Sequence, residues 1–272
     1  MQYKEILLKD FEPNLSFSNS KLRIYISSPN ELVKLRPGLL VLPGGGYSFC
    51  SPREAEPIAF RFLSEGFNCF ILDYTSFQKY PVPHLEAAAA INYIRKHEKA
   101  FDLIENSLSI IGFSAGGHLA GSYGYLYPEL ARELKYDPSV LKPRALVLAY
   151  PVTLMNEFTH QETKQIITGG DEKIIEKLDI PSHITKDYPP TFVWATKDDE
   201  MVPVNNSLVL EKSLKNQQIP HKCLIFESGR HGLSVSNRSV YTKQDFTENM
   251  KDVRDWASAV SDFIFELIDN EN

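Results

Sequence analysis

Short apolar runs alternate along the chain with longer segments in which apolar residues recur every three or four positions. Gly38 to Leu42 is apolar throughout. It is followed by Phe70-Ile71-Leu72, Leu108 to Ile111, Ala145 to Ala149, Thr191 to Ala195 and Lys222 to Phe226. Runs that do not alternate with polar residues predict strands covered on both faces. Lys21 to Ser27 does alternate, and predicts a strand with one face toward solvent. Between the runs lie helical patterns. Ser51-Pro52-Arg53-Glu54 has the spacing of a capping box with proline at the first helical position, Ile58, Phe62 and Leu63 supply the buried stripe, and Gly66 stops it. His84 to Ala100 predicts a long Ala-rich helix, and Val253, Trp256, Val260, Phe263 and Leu267 mark a last one. The order predicts an α/β fold, a mostly parallel central sheet with helices on both faces, in a single domain over residues 1–272. Residues 152–188 break the rhythm: they are polar, with two short helical patterns around Gly169-Gly170. They read either as a small cap inserted between strands and lying over the site, or as an elaborate surface connection.

The chain has 272 residues, enough to bury a large core without covalent staples. Its formal net charge of −6, with no long run of Lys or Arg, argues against a nucleic-acid surface. No stretch has the length of a membrane span, and the N-terminal residues lack the apolar core of a signal peptide. Cys50, Cys69 and Cys223 are odd in number and have no paired ligand spacing. They fit reduced thiols in a cytoplasmic protein, with neither a metal nor a cofactor expected.

The chemistry centres on Gly112-Phe113-Ser114-Ala115-Gly116. The apolar run before it and the helical pattern after it place Ser114 in a tight strand-to-helix turn, the setting of a nucleophile elbow. A serine hydroxyl is a poor nucleophile at neutral pH and needs a histidine base, itself oriented by an acid. His231, in Gly229-Arg230-His231-Gly232 after the last strand, is the expected base. The acid is expected at Asp199, in Asp199-Glu200-Met201-Val202-Pro203, with the adjacent Asp198 as the alternative and Glu200 behind both. Backbone N–H groups of Ala115 and of the loop Gly44-Gly45-Gly46-Tyr47 are the expected oxyanion donors. No Gly-Lys-Ser/Thr follows the glycines, which argues against a phosphate loop. Tyr47, Phe49 and Phe77 read either as walls of an acyl pocket or as ordinary packing. His118 reads as a structural histidine, His84 as a helix-start residue, and Cys50 as a neighbour of the site without a partner.

Together, Pro43-Gly44-Gly45-Gly46-Tyr47, Gly112 to Ala120 and Asp199 to Pro203 resemble the α/β-hydrolase superfamily. The resemblance runs over about residues 20 to 268 and is nearest to small bacterial esterases related to acetyl-xylan and feruloyl esterases and to the hormone-sensitive-lipase group. It implies Ser114 as nucleophile, Asp199 as acid, His231 as base, and Gly45 or Gly46 with Ala115 as oxyanion donors. Pro43 stands where the lipase-like branch has histidine, which favours the sugar-ester branch. Ala195-Thr196 replaces the usual His-Gly before the acid loop. The implied activity is hydrolysis of a small carboxylic ester, such as an acetyl group on a sugar or oligosaccharide. An amide hydrolase of arylformamidase-like or prolyl-peptidase-like type and a non-catalytic binding protein are the alternatives.

Overall fold

The computed structural model describes residues 1–156, 158–242 and 252–270; Glu157, which falls in the expected cap segment, and residues 243–251 and 271–272 lie outside them. Eight strands form one sheet: β1 (Gln2–Leu7), β2 (Lys21–Ile26), β3 (Gly38–Leu42), β4 (Asn68–Asp73), β5 (Ser109–Phe113), β6 (Leu146–Ala149), β7 (Thr191–Thr196) and β8 (His221–Phe226). Their spatial order is β1-β2-β4-β3-β5-β6-β7-β8. β2 pairs antiparallel with β1 and with β4, and the ladders from β4 to β8 are parallel.

Successive side chains of a strand point to opposite faces, and two separate cores result. Leu40, Leu42, Ile110 and Leu148 enter one, while Leu39, Val41, Ile111 and Val147 enter the other. Both faces are apolar where both are covered, which is why β3, β5, β6 and β7 read as unbroken runs; β8, expected to be covered likewise, is an edge strand and mostly half-buried. The first face carries α2 (Val82–Lys96) and α3 (Ala115–Leu134). The second carries α1 (Glu56–Ser64) and, at the chain's end, a helix over Trp256–Asp269 whose Trp256, Val260 and Phe263 are buried. A short α4 (Pro138–Leu141) precedes β6. Residues 152–188 contain α5 (Gln161–Thr168) and α6 (Glu172–Leu178), separated by Gly169 and Gly170 at φ 63° and 79°. Next come α7 (Asn205–Asn216) and then the terminal helix, α8. Among the described residues no helix is long and apolar enough to cross a membrane.

Two local expectations change. The Ser51 side chain caps nothing; Pro52–Glu54 forms a single 3-10 turn and α1 begins at Glu56. The capping box loses because the Glu54 carboxylate finds partners elsewhere in the fold. The helix expected from His84 begins at Val82 and stops at Lys96, with a 3-10 turn over Glu98–Phe101 continuing it. β1 was not foreseen; it is an edge strand that is exposed over its first four residues.

Parallel strands deliver their C-terminal ends to one edge of the sheet. The glycine loop follows β3, Ser114 follows β5, Tyr150 follows β6, Asp199 follows β7 and His231 follows β8. The topology therefore collects all five at one place.

Candidate active site

Ser114 joins β5 directly to α3 at φ 53° and ψ −115°. A side chain in that backbone region costs on the order of 1–3 kcal/mol. The cost is met by neighbours that hold the turn: the Ser114 N–H donates to Ala149 O at 3.0 Å, and its carbonyl accepts from His118 N at 3.0 Å and Val152 N at 3.2 Å. The two flanking glycines are required by contact. A Cβ on Gly112 would stand 2.1 Å from Gly116 O, and one on Gly116 would stand 2.1 Å from Leu42 O.

Asp199 is 5% exposed. Its Oδ1 accepts from Met201 N at 3.0 Å and Val202 N at 2.9 Å, and its Oδ2 lies 2.6 Å from His231 Nδ1. His231 Nε2 lies 2.8 Å from Ser114 Oγ. An ionised carboxylate only accepts, so Nδ1 carries the proton and Nε2 presents its lone pair to the serine hydroxyl. Asp198 stays outside this chain. It accepts from Ser228 Oγ at 2.5 Å and Gly229 N at 2.6 Å, and the serine hydrogen bond holds its carboxyl below the usual carboxylate range. Glu200 is exposed. Thr196, at the departure from the superfamily pattern, donates its hydroxyl to Gly229 O at 2.5 Å and so ties the acid loop to the histidine loop.

Gly45 and Gly46 adopt φ 123° and 64°, values that favour glycine. Among the described residues no acceptor takes up the N–H of Gly45, Gly46 or Ala115. Gly45 and Gly46 border a cavity of roughly 200 Å³ that Ser114 and His231 also line. Phe49 and Met201 give it an apolar wall, and Arg53, His160 and Glu162 a polar one. His160 lies beside α5. Its Nδ1 faces the Thr163 hydroxyl at 2.9 Å and accepts from Thr163 N at 3.4 Å, which leaves the proton on Nε2.

Of the three aromatic candidates, only Phe49 lines the cavity. Tyr47 is fully buried, with its hydroxyl 2.8 Å from His118 Nδ1. Phe77 is 68% exposed, and its N–H donates to Tyr47 O at 2.7 Å. Aromatic type after a strand does not encode which way the ring turns. His118 donates from Nε2 to Leu178 O at 3.1 Å, so its Nδ1 accepts from Tyr47; burial pushes its pKa down to about 4. His84 is likewise buried and hydrogen-bonded, to Ser122 Oγ at 2.8 Å. Cys50 donates weakly to Tyr74 O, and burial raises its thiol to about 12. Sequence reasoning missed Arg53, Glu54, His160 and Glu162 as cavity residues. Only Arg53 and Glu54 left a signal, as charges close behind the glycine loop.

Residues 22–214 match the BD-FAE family model. The chain is 31% identical over 221 residues to endo-1,4-beta-xylanase B of Butyrivibrio fibrisolvens, covering 78% of this chain and 35% of that protein. It is 27% identical over 233 residues to an acetylxylan esterase of Xylanibacter ruminicola, covering 80% of this chain and 45% of that one. It thus spans less than half the length of these curated relatives. The crystal structure of an acetyl ester-xyloside bifunctional hydrolase from Caldicellulosiruptor lactoaceticus superposes with a TM-score of 0.77 at 31% identity, covering 94% of this chain and 96% of the other.

Proposed function

Since the chain belongs to the BD-FAE family of α/β-hydrolase esterases, we propose that it is a serine hydrolase that cleaves small carboxylic esters through an acyl-enzyme on Ser114. The continuous hydrogen-bonded chain from Asp199 through His231 to Ser114 carries this reading. His231 Nε2 takes the Ser114 proton as Oγ attacks the ester carbonyl carbon. The developing oxyanion is met by N–H groups of Gly45 or Gly46 and of Ala115, preorganised at no cost during the reaction. Asp199 stabilises the imidazolium that forms. His231 then returns the proton to the departing alkoxide, and the alcohol leaves. Water, deprotonated by the same nitrogen, attacks the acyl-enzyme; the carboxylic acid departs and Ser114 regains its proton.

The alcohol portion is a hydroxylated one, of the kind a sugar or oligosaccharide presents. Two observations support that. Arg53, His160 and Glu162 add donors and an acceptor to the cavity lining beside the apolar Phe49 and Met201. Two of the relatives carry names that refer to acetylated xylan or acetyl esters. Residues 152–188 act as a small cap in this account, because His160 and Glu162 come from that segment.

Turnover of an acetylated xylo-oligosaccharide, p-nitrophenyl acetate and N-formylkynurenine, with Ser114→Ala as the blank, tests the proposal. Acetyl release from the oligosaccharide that is abolished in the blank is the expected result. Efficient cleavage of N-formylkynurenine with neither ester touched points to an amide hydrolase instead.

A further inference from the structure

Glu54 is 4% exposed, lines the cavity and takes no part in the proton transfers above. Its Oε2 accepts from Gly44 N at 2.9 Å and its Oε1 from the Tyr150 hydroxyl at 2.7 Å. The Tyr150 oxygen in turn accepts from Ser234 N at 3.0 Å, three residues beyond His231. The Tyr150 ring stands edge-on to the His231 imidazole, with centroids 5.1 Å apart and planes at 71°. The link closes on itself, since the Ser234 hydroxyl donates to the carbonyl of Arg53. Gly44 is shaped for this approach: a Cβ there would lie 2.6 Å from Glu54 Oε2.

One carboxylate therefore joins the loop that offers the Gly45 and Gly46 N–H groups to the loop that carries His231. Burying a carboxylate is expensive, and an apolar side chain would fill the space at lower cost. What an apolar group cannot do is accept from an amide and a phenol at once. We propose that Glu54 is a positioning residue that holds the oxyanion loop and the base loop in register, acting through Gly44 and Tyr150. The proposal rests on the serine-hydrolase reading.

Glu54→Gln preserves volume but turns one acceptor into a donor, which must then face either Gly44 N–H or Tyr150 O–H. Tyr150→Phe removes only the phenol oxygen. Each variant, and the double variant, is titrated with a fluorophosphonate to count reactive sites; kcat and KM for p-nitrophenyl acetate are then measured per site, well below the melting temperature. A misplacement of a few tenths of an ångström or more in the donors predicts a loss of roughly 10- to 100-fold in kcat for Glu54→Gln, with KM within about threefold. Tyr150→Phe should lose about tenfold, and the double variant little more than Glu54→Gln, because both cut one link. If Glu54→Gln does not fold, Tyr150→Phe carries the test alone, with its roughly tenfold loss in kcat and KM within about threefold. Unchanged kcat per titrated site with only a lower melting temperature overturns the positioning role, as do losses that simply multiply. A wild-type chain in which no Ser114 titrates overturns the serine-hydrolase reading itself, and the positioning role with it.

Discussion

Replacing Asp199 with asparagine changes one atom and should reverse the direction of a proton. Asp199 Oδ1 accepts two backbone N–H groups, from Met201 and Val202. Only the amide oxygen of asparagine can keep both, so the NH₂ group must face His231 Nδ1 across the present 2.6 Å contact. That NH₂ donates, which forces Nδ1 to accept and moves the ring proton to Nε2. Nε2 then meets Ser114 Oγ as a donor and cannot act as base. Turning the amide over would strand the buried Val202 N–H, at a cost of about 1–3 kcal/mol, and the part-buried Met201 N–H as well. The carboxylate that stabilised the imidazolium is lost as well. Together these amount to about 5 kcal/mol on the barrier, or roughly 10⁴-fold in kcat/KM. Asp198→Asn is the control, since that side chain is exposed and an amide oxygen can still accept from Gly229 N; it should cost less than about tenfold. Both variants are assayed on p-nitrophenyl acetate, with thermal melts to verify folding. A larger loss at 198 than at 199, or more than a tenth of wild-type activity in Asp199→Asn, refutes this reasoning.

Three further outcomes follow from the geometry. Folded His118 protonates near pH 4 whereas an unfolded histidine does so near 6.5. Between those values the unfolded chain binds more protons, so stability is full above about pH 6.5 and falls by about 3 kcal/mol on the way to pH 4; urea unfolding at pH 7, 5.5 and 4 should show a shallower fall in His118→Gln, and equal falls contradict it. Gly116→Ala places a Cβ 2.1 Å from Leu42 O and 2.5 Å from Pro43 O; it should destabilise the fold by about 3 kcal/mol or more in urea unfolding and abolish activity. In a cavity of roughly 200 Å³, acetate and propionate esters should be cleaved better than octanoate, since each extra methylene gains at most about 0.8 kcal/mol when it can be buried; a kcat/KM that climbs steadily from acetate to octanoate points instead to a long acyl groove.

The sheet was legible where burial leaves no choice of residue type. Gly38–Leu42 is buried at all five positions, and the expected strand matches the observed one at both ends. β1 was not legible, because Gln2–Leu7 lies at the sheet edge and its first four side chains face solvent. The grouping of Ser114, Asp199 and His231 was readable because each follows a parallel strand, and topology converts that order into proximity. Glu54 was misread because a local pattern competed with tertiary partners: the Ser51 spacing suggested a helix cap, while Gly44 N and Tyr150 Oη claim the carboxylate. Tyr47 and Phe77 show that residue type does not fix direction, since one ring turns into the core and the other into solvent. His160 left no signal, because the segment around it is polar and its place over Gly46 depends on how the segment folds back.

The central claim is that Ser114 is acylated during turnover. The direct test is to treat the protein with a fluorophosphonate, digest it and locate the added mass, with Ser114→Ala in parallel. The account predicts a single adduct on the peptide containing Ser114, loss of esterase activity in proportion to labelling, and no adduct in the alanine variant. An adduct on any other residue, or full activity in Ser114→Ala, contradicts it.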